Sequence, residues 1–250
     1  MSPSIPFLHP SSAFEANDYS IERALAVVGV VGLISALALA GFGVVLQSTI
    51  PSTVTVENPD HPPASACDDD RLGGNMTVDG ENITFGTPEA CAEARQIPAQ
   101  RLVWRVLGPR LPFEFLSAFV SWLVVGGTFH VFTRTDDESA RGPLVVTAWG
   151  TVPQAIGTVL TVTVLSVSVL LGSAPVAASF EASLQRLETA VRASIPLAFT
   201  ITVGTTLWSG WIHYHGLRAV RELDRRQALE AVSLVAATGL LLSLWSLLSL

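Results

Sequence analysis

The 250-residue chain has no lysine, only two cysteines and few charges of either sign. Charged residues make up 14% of it. A soluble domain carries about 25%. That shortfall excludes an ordinary soluble globule and selects an integral membrane class. No basic run with interleaved aromatics occurs, so nucleic acid is not an expected partner. The P-loop, G-x-S-x-G, H-E-x-x-H and C-x-x-C patterns are all missing, as are paired intramembrane aspartates. No catalytic centre, metal or cofactor is therefore expected, and the chain reads as a non-enzyme. All basic side chains are arginine, the net charge is −7 and the pI is near 5.2. Carboxylate-rich, lysine-poor surfaces suit high salt, which points to an extreme halophile. A high-GC genome would trade lysine for arginine in the same way.

What the chain does have is long apolar runs. The run 112–133 and the run 144–172 fold back on each other through the charged turn 134–143 (RTDDESARGP). A hydrocarbon core of roughly 30 Å asks for about 20 apolar residues in a helix. The pair reads as a membrane hairpin on which the other runs pack. Residues 1–23 form a polar cytoplasmic tail, and 24–46 form the first span. Gly29, Gly32, Ala36, Ala40 and Gly43 give that span a small-residue stripe where another helix can approach. Ala38-Leu39-Ala40 resembles a signal cleavage site, but the preceding region is acidic, whereas a secretory leader starts basic.

Residues 47–111 form the one sizeable polar segment, with Cys67, Cys91 and the sequons at Asn75 and Asn82. Cysteines and sequons together place it on the oxidising, extracytoplasmic side. A Cys67–Cys91 disulfide is predicted, closing a loop of about 25 residues and contributing around 3 kcal/mol in the chain-entropy picture. Alternation at Thr53–Glu57 and at Asn75–Phe85 predicts short strands, with Asp79-Gly80 as a hairpin turn. Arg101–Arg110 suits the headgroup level. Residues 173–194 form an outer connection carrying an amphipathic helix. A fourth span at 195–214, a basic turn at 215–227 and a fifth span at 228–250 complete the chain. Pro153 predicts a kink in the third span.

Arginine counts set the topology. Arg23, Arg134, Arg141, Arg218, Arg221, Arg225 and Arg226 fall on one side, against Arg186 and Arg192 in the short loop on the other. The expected fold is an all-α membrane protein: a five-transmembrane-helix bundle, N-terminus in and C-terminus out. It carries a small disulfide-closed extracytoplasmic loop containing short strands. The cell membrane is the expected location. The bilayer is the expected partner, joined by other membrane proteins or a second copy of the chain.

Polar groups at membrane depth are costly and are functional suspects by default. His130, Gln154, His213 and His215 are the candidates for a polar membrane site. The histidines could form a proton or metal site shared between two helices, or hydrogen-bond to nearby backbone or headgroups. Gln154 could line a cavity or bond a carbonyl freed by Pro153. Trp122 and His130 before a short polar turn, then a span with Trp149 and Pro153, then Trp208–Ala228 (WSGWIHYHGLRAVRELDRRQA), resemble the Yip1 family of five-span membrane proteins. The resemblance covers Phe113–Leu250 and implies an N-in, C-out bundle. Eukaryotic members are associated with vesicle traffic and small GTPases. The cysteine-bearing loop resembles an insertion peculiar to this chain and its near relatives. The resemblance implies a membrane-organising or scaffolding role. The alternative is a small transporter or permease component with a polar midplane site near Gln154. A polar cavity reaching Gln154 favours transport; a dry, tightly packed bundle favours scaffolding.

Overall fold

The computed structural model describes residues 10, 13–14, 20–51, 53–57, 75–78, 81–84, 94–133, 139–172 and 180–248. Cys67, Cys91 and the Asp79-Gly80 turn lie outside these. Among the described residues, five helical segments are long and apolar enough to cross a bilayer: Ile21–Thr49, Ala99–Phe132, Arg141–Leu171, Glu181–Arg221 and Arg225–Trp245. Large apolar side chains point outward along them, with Leu171 82%, Trp245 75% and Phe113 73% exposed. Such exposure is costly in water and neutral against lipid tails, which are as apolar as leucine. This is a multi-pass membrane protein.

Helix α1 (Ile21–Thr49) starts where the Ser20 hydroxyl accepts from Arg23 N at 3.3 Å, an N-cap that satisfies one free donor. It runs unbroken through Ala38–Ala40. Strand β1 (Thr53–Glu57) pairs antiparallel with β4 (Ala94–Pro98), Val54 opposite Ile97. Between them β2 (Asn75–Val78) and β3 (Glu81–Thr84) form a hairpin. The two sequons meet across this ladder: Asn75 opposes Thr84, and Thr77 opposes Asn82. The β1–β4 ladder also closes the base of the polar loop and delivers the chain into α2 (Ala99–Leu107). Ala99, Val103 and Leu107 recur every four residues and are the buried face of α2. Gly43 of α1 makes room for Leu107 and Trp104, so α2 rests against the end of the first span.

The hairpin is α3 (Arg110–Phe132), then α4 (Arg141–Gly150) and α5 (Val152–Gly172). Trp122 Nε1 donates to Leu144 O at 2.7 Å and staples α3 to the start of α4. The kink expected from Pro153 appears as a break at Thr151, separating α4 from α5. Proline has no N–H to give, and its ring opposes a straight helix.

The fourth helix differs from the sequence expectation. A single helix, α6 (Phe180–Arg221, 42 residues), contains both the amphipathic stretch and the fourth span, with Pro196 inside it. The basic turn correspondingly shrinks to residues 222–224. Arg218 and Arg221 end α6, and Arg225 and Arg226 open α7 (Arg225–Leu248). Glu222 takes a left-handed φ of 50°, and Asp224 Oδ1 accepts from Gln227 N at 2.8 Å to cap α7.

Two ends of the bundle can now be distinguished. The turn end carries Thr133, residues 139–141 and residues 222–224. The loop end carries the strands, Gly172 and Phe180. The core belongs to the turn end. Short α4 sits inside it, with Pro143, Val145, Val146, Thr147, Ala148 and Gly150 all buried. Around α4 pack Val28, Phe129, Ile212 and Leu217, each at 0% exposure. Phe14, from the chain ahead of α1, joins the same cluster.

Candidate functional site

Of the four polar candidates, the structure brings two together. Gln154 and His213 line one cavity of about 320 Å³ among α3, α4, α5, α6 and α7. Its rim includes the exposed Gln154 and Ser121. Its floor is buried: Thr147 is 1%, Ser209 3% and His213 7% exposed. The floor rests on the packed turn-end core, so the cavity is closed toward that end.

His213 is held by two neighbours. Its ring lies 4.9 Å from the Phe129 ring. It sits directly over Gly150, where a Cβ would fall on Nε2. Its Nε2 is buried without a hydrogen-bond partner among the described residues.

The remaining polarity comes from hydroxyls. Along α4 and α5, Thr147 donates to Pro143 O at 2.8 Å, Thr151 to Ala148 O at 2.7 Å and Thr158 to Gln154 O at 3.1 Å. Along α6, Thr202 donates to Ala198 O at 3.0 Å and Thr205 to Ile201 O at 2.9 Å. Ser209 crosses between helices to Gly150 O at 2.6 Å, beside the break. On α7, Ser243 donates to Gly239 O at 2.9 Å. Back-bonding of this kind is how hydroxyls are accommodated within helices. The space itself exists because Gly157, Gly210 and Gly239 stand on its walls. At Gly157 a Cβ would come within 3.0 Å of Thr205.

The other two histidines do different work. His130 Nδ1 accepts from Arg221 Nη2 at 2.9 Å, and the same nitrogen donates to Ser139 O at 2.8 Å. An arginine has only donors, which fixes the direction of both bonds. Arg221 is 6% exposed and ties the end of α6 to the end of α3 and to the α3–α4 turn. His215 packs edge-on against Trp211 and Tyr214, at 5.5 and 5.0 Å between centroids. Neither lines the cavity. The sequons at Asn75 and Asn82 lie on the distant β2–β3 hairpin.

The threonines escaped the sequence reading, although their spacing was a signal. Residues 147, 151, 154, 158 and 161 recur at four and three along one face of α4–α5. Residues 202, 205, 206 and 209 do so on α6. A polar stripe at helical period through an apolar span marks a shared wet face.

No curated protein and no solved structure matches the chain. The Yip1 domain matches residues 6–247. The match starts far ahead of Phe113, where the sequence resemblance began, so it takes in the first span and the loop bearing Cys67 and Cys91. The chain belongs to the Yip1 family.

Proposed function

We propose that this Yip1-family protein is a small carrier or permease component that holds a polar solute inside its helix bundle, without covalent chemistry. One observation carries the reading: a cavity lined by hydroxyls, Gln154 and His213 in the midst of apolar spans. Polar groups at that depth are costly unless they are satisfied or used. Passage across the bilayer would require the layer formed by Phe129, Ile212 and Leu217 to open, since it closes the cavity toward the turn end.

A second reading, membrane organisation, is supported by a separate feature. An apolar groove of about 520 Å³ runs between α1 and α4–α5, lined by Val30, Ile34, Trp149, Ile156 and Leu160 among others. A lipid chain or a neighbouring helix would fit such a surface. In either case the arginine distribution supports a cytoplasmic turn end in the cell membrane, and the lysine-free, acidic composition supports a high-salt setting. The β1–β4 ladder supports a Cys67–Cys91 disulfide, because it brings the two flanks of that loop together.

The test is flux in proteoliposomes. Reconstituted protein should raise the permeability to at least one small polar solute above that of protein-free vesicles, and Gln154→Leu should lower it. Absence of any protein-dependent flux, together with protein-dependent vesicle clustering, would replace the carrier reading with the organising one.

A further inference from the structure

The cavity wall both gives and takes hydrogen bonds, and it carries no fixed charge. We infer that the cavity binds a small, uncharged polyol, of which glycerol is the simplest probe. This rests on the carrier reading above and adds the ligand class.

Three observations carry it. First, the wall is mixed at the scale of a single helical turn. Thr151, Thr202, Thr205 and Ser209 each commit their one hydrogen to a backbone carbonyl. A hydroxyl that has donated keeps its lone pairs, so toward a guest these four accept. Interleaved with them, Gln154, Thr161 and Thr206 line the same cavity with no side-chain hydrogen bond among the described residues. Their hydrogens remain free to donate. Second, His213 Nε2 has no partner at the buried floor. In one neutral tautomer that nitrogen accepts and in the other it donates, and either way it calls for a partner. A buried polar atom without one costs free energy that a guest would return. Third, the described lining holds no Asp, Glu, Lys or Arg. A charged guest would lose its hydration with no counter-charge to offset the loss.

At neutral pH the hydroxyl is the uncharged group that gives and takes at one atom. It meets an accepting threonine, a donating amide and His213 in either tautomer without turning the guest around. An amide keeps its donors and its acceptor on separate atoms and matches such a wall only in selected poses. Several hydroxyls on one short chain reach several wall groups at once. The lining runs from Gly150 to Thr161 on α4–α5 and from Thr202 to His213 on α6, about 16 Å each at a rise of about 1.5 Å per residue. The volume of about 320 Å³ holds about ten waters, so glycerol fits with water around it.

The experiment uses the full-length protein in proteoliposomes, carrying Thr205→Cys. N-ethylmaleimide labels the introduced thiol, and the unsubstituted chain treated alike gives the background from Cys67 and Cys91. Glycerol should slow the labelling saturably, about threefold at about twice the concentration that fills half the sites. At that concentration acetamide, the cation serinol and the anion glycerate should leave the rate unchanged. Propylene glycol, one hydroxyl short of glycerol, should protect less. His213→Phe should remove the protection while labelling persists. Should that variant fail to fold, the near-isosteric Thr206→Val takes away one free hydrogen and should weaken the protection. Equal protection by acetamide or propylene glycol overturns the polyol class, and equal protection by serinol or glycerate overturns the uncharged one. Labelling that no probe slows means a cavity for water alone, and overturns the inference. All of these outcomes leave the carrier reading standing, to be judged by flux. Absence of labelling at Thr205→Cys means a cavity closed to water, and removes both.

Discussion

The two halves of this bundle are built from the same residue types and packed to different degrees. At the turn end most glycines are points of contact. Gly216 lets Val146 approach to where a Cβ would be 2.6 Å away, Gly126 does the same for Leu144 at 2.7 Å, and Gly150 seats the His213 ring. Toward the loop end the pattern is mixed: Gly32 and Gly43 also meet neighbours closely, with Phe115 O 2.7 Å and Leu107 2.9 Å from the position a Cβ would take, whereas Gly204 and Gly239 have nothing within 4 Å. The close-set glycines bring backbones and side chains together. The open pair leaves space, and part of that space is the polar cavity. In lipid no hydrophobic force drives helices together, so close contact arises only where small residues permit it. Close-contact glycines concentrate around α4, where the bundle is tightly packed, and are interspersed with open ones elsewhere.

The contrast can be broken by substitution. The largest effect is expected at Gly150→Val, whose side chain would occupy the place of the His213 ring. Overpacking of that kind costs about 3 kcal/mol or more. Thermal unfolding in detergent micelles would report it, and an unchanged midpoint would mean that the turn end is not tightly packed. Phe129→Ala comes next. Phe129 is fully buried, and its loss leaves a cavity worth about 2 kcal/mol. That is below the soluble-core figure because lipid already solvates the unfolded reference. The same scan should show it as a clear drop in midpoint.

Two smaller effects should be stabilising. Glu222 holds a left-handed φ of 50°, a conformation that costs a non-glycine residue about 1 kcal/mol. Glu222→Gly should recover most of that, and a lowered midpoint would argue that the side chain anchors the turn. Smallest of all, Gly204→Ala should raise stability by about 0.5 kcal/mol, the helix-propensity gain where nothing is displaced. A destabilising result there would place a hidden packing partner against the loop-end half and blur the contrast.

Much of this organisation was legible in the sequence, for identifiable reasons. The five spans could be read because a bilayer imposes length and apolarity on any crossing helix. Strands at 53–57 and within 75–85 could be read from their alternation. The continuity of α6 could not. Pro196 looks like a boundary, yet the carbonyl it frees belongs to Arg192, whose side chain is 72% exposed, and solvent can satisfy that group. The family resemblance reached only from Phe113 onward, because its carrying residues lie in the hairpin and the fourth-to-fifth turn.

The site was half legible. Gln154 and His213 stood out as strongly polar groups in apolar surroundings, and they do share a cavity. His130 and His215 stood out for the same reason but serve contacts elsewhere, which no linear pattern distinguishes. The threonines remained hidden because a hydroxyl bonded to its own helix looks apolar in any hydropathy count. Their role emerges only when the periodic stripes on α4–α5 and α6 are seen to face one space.

The most direct test of the account is the water accessibility of two positions on either side of the cavity floor. Thr205→Cys, on the cavity wall, and Val146→Cys, in the packed core beneath it, would be treated with a membrane-impermeant thiol reagent in proteoliposomes of either orientation. The account predicts that Thr205→Cys reacts and Val146→Cys does not. Equal reactivity at both positions, or none at Thr205→Cys, would contradict it.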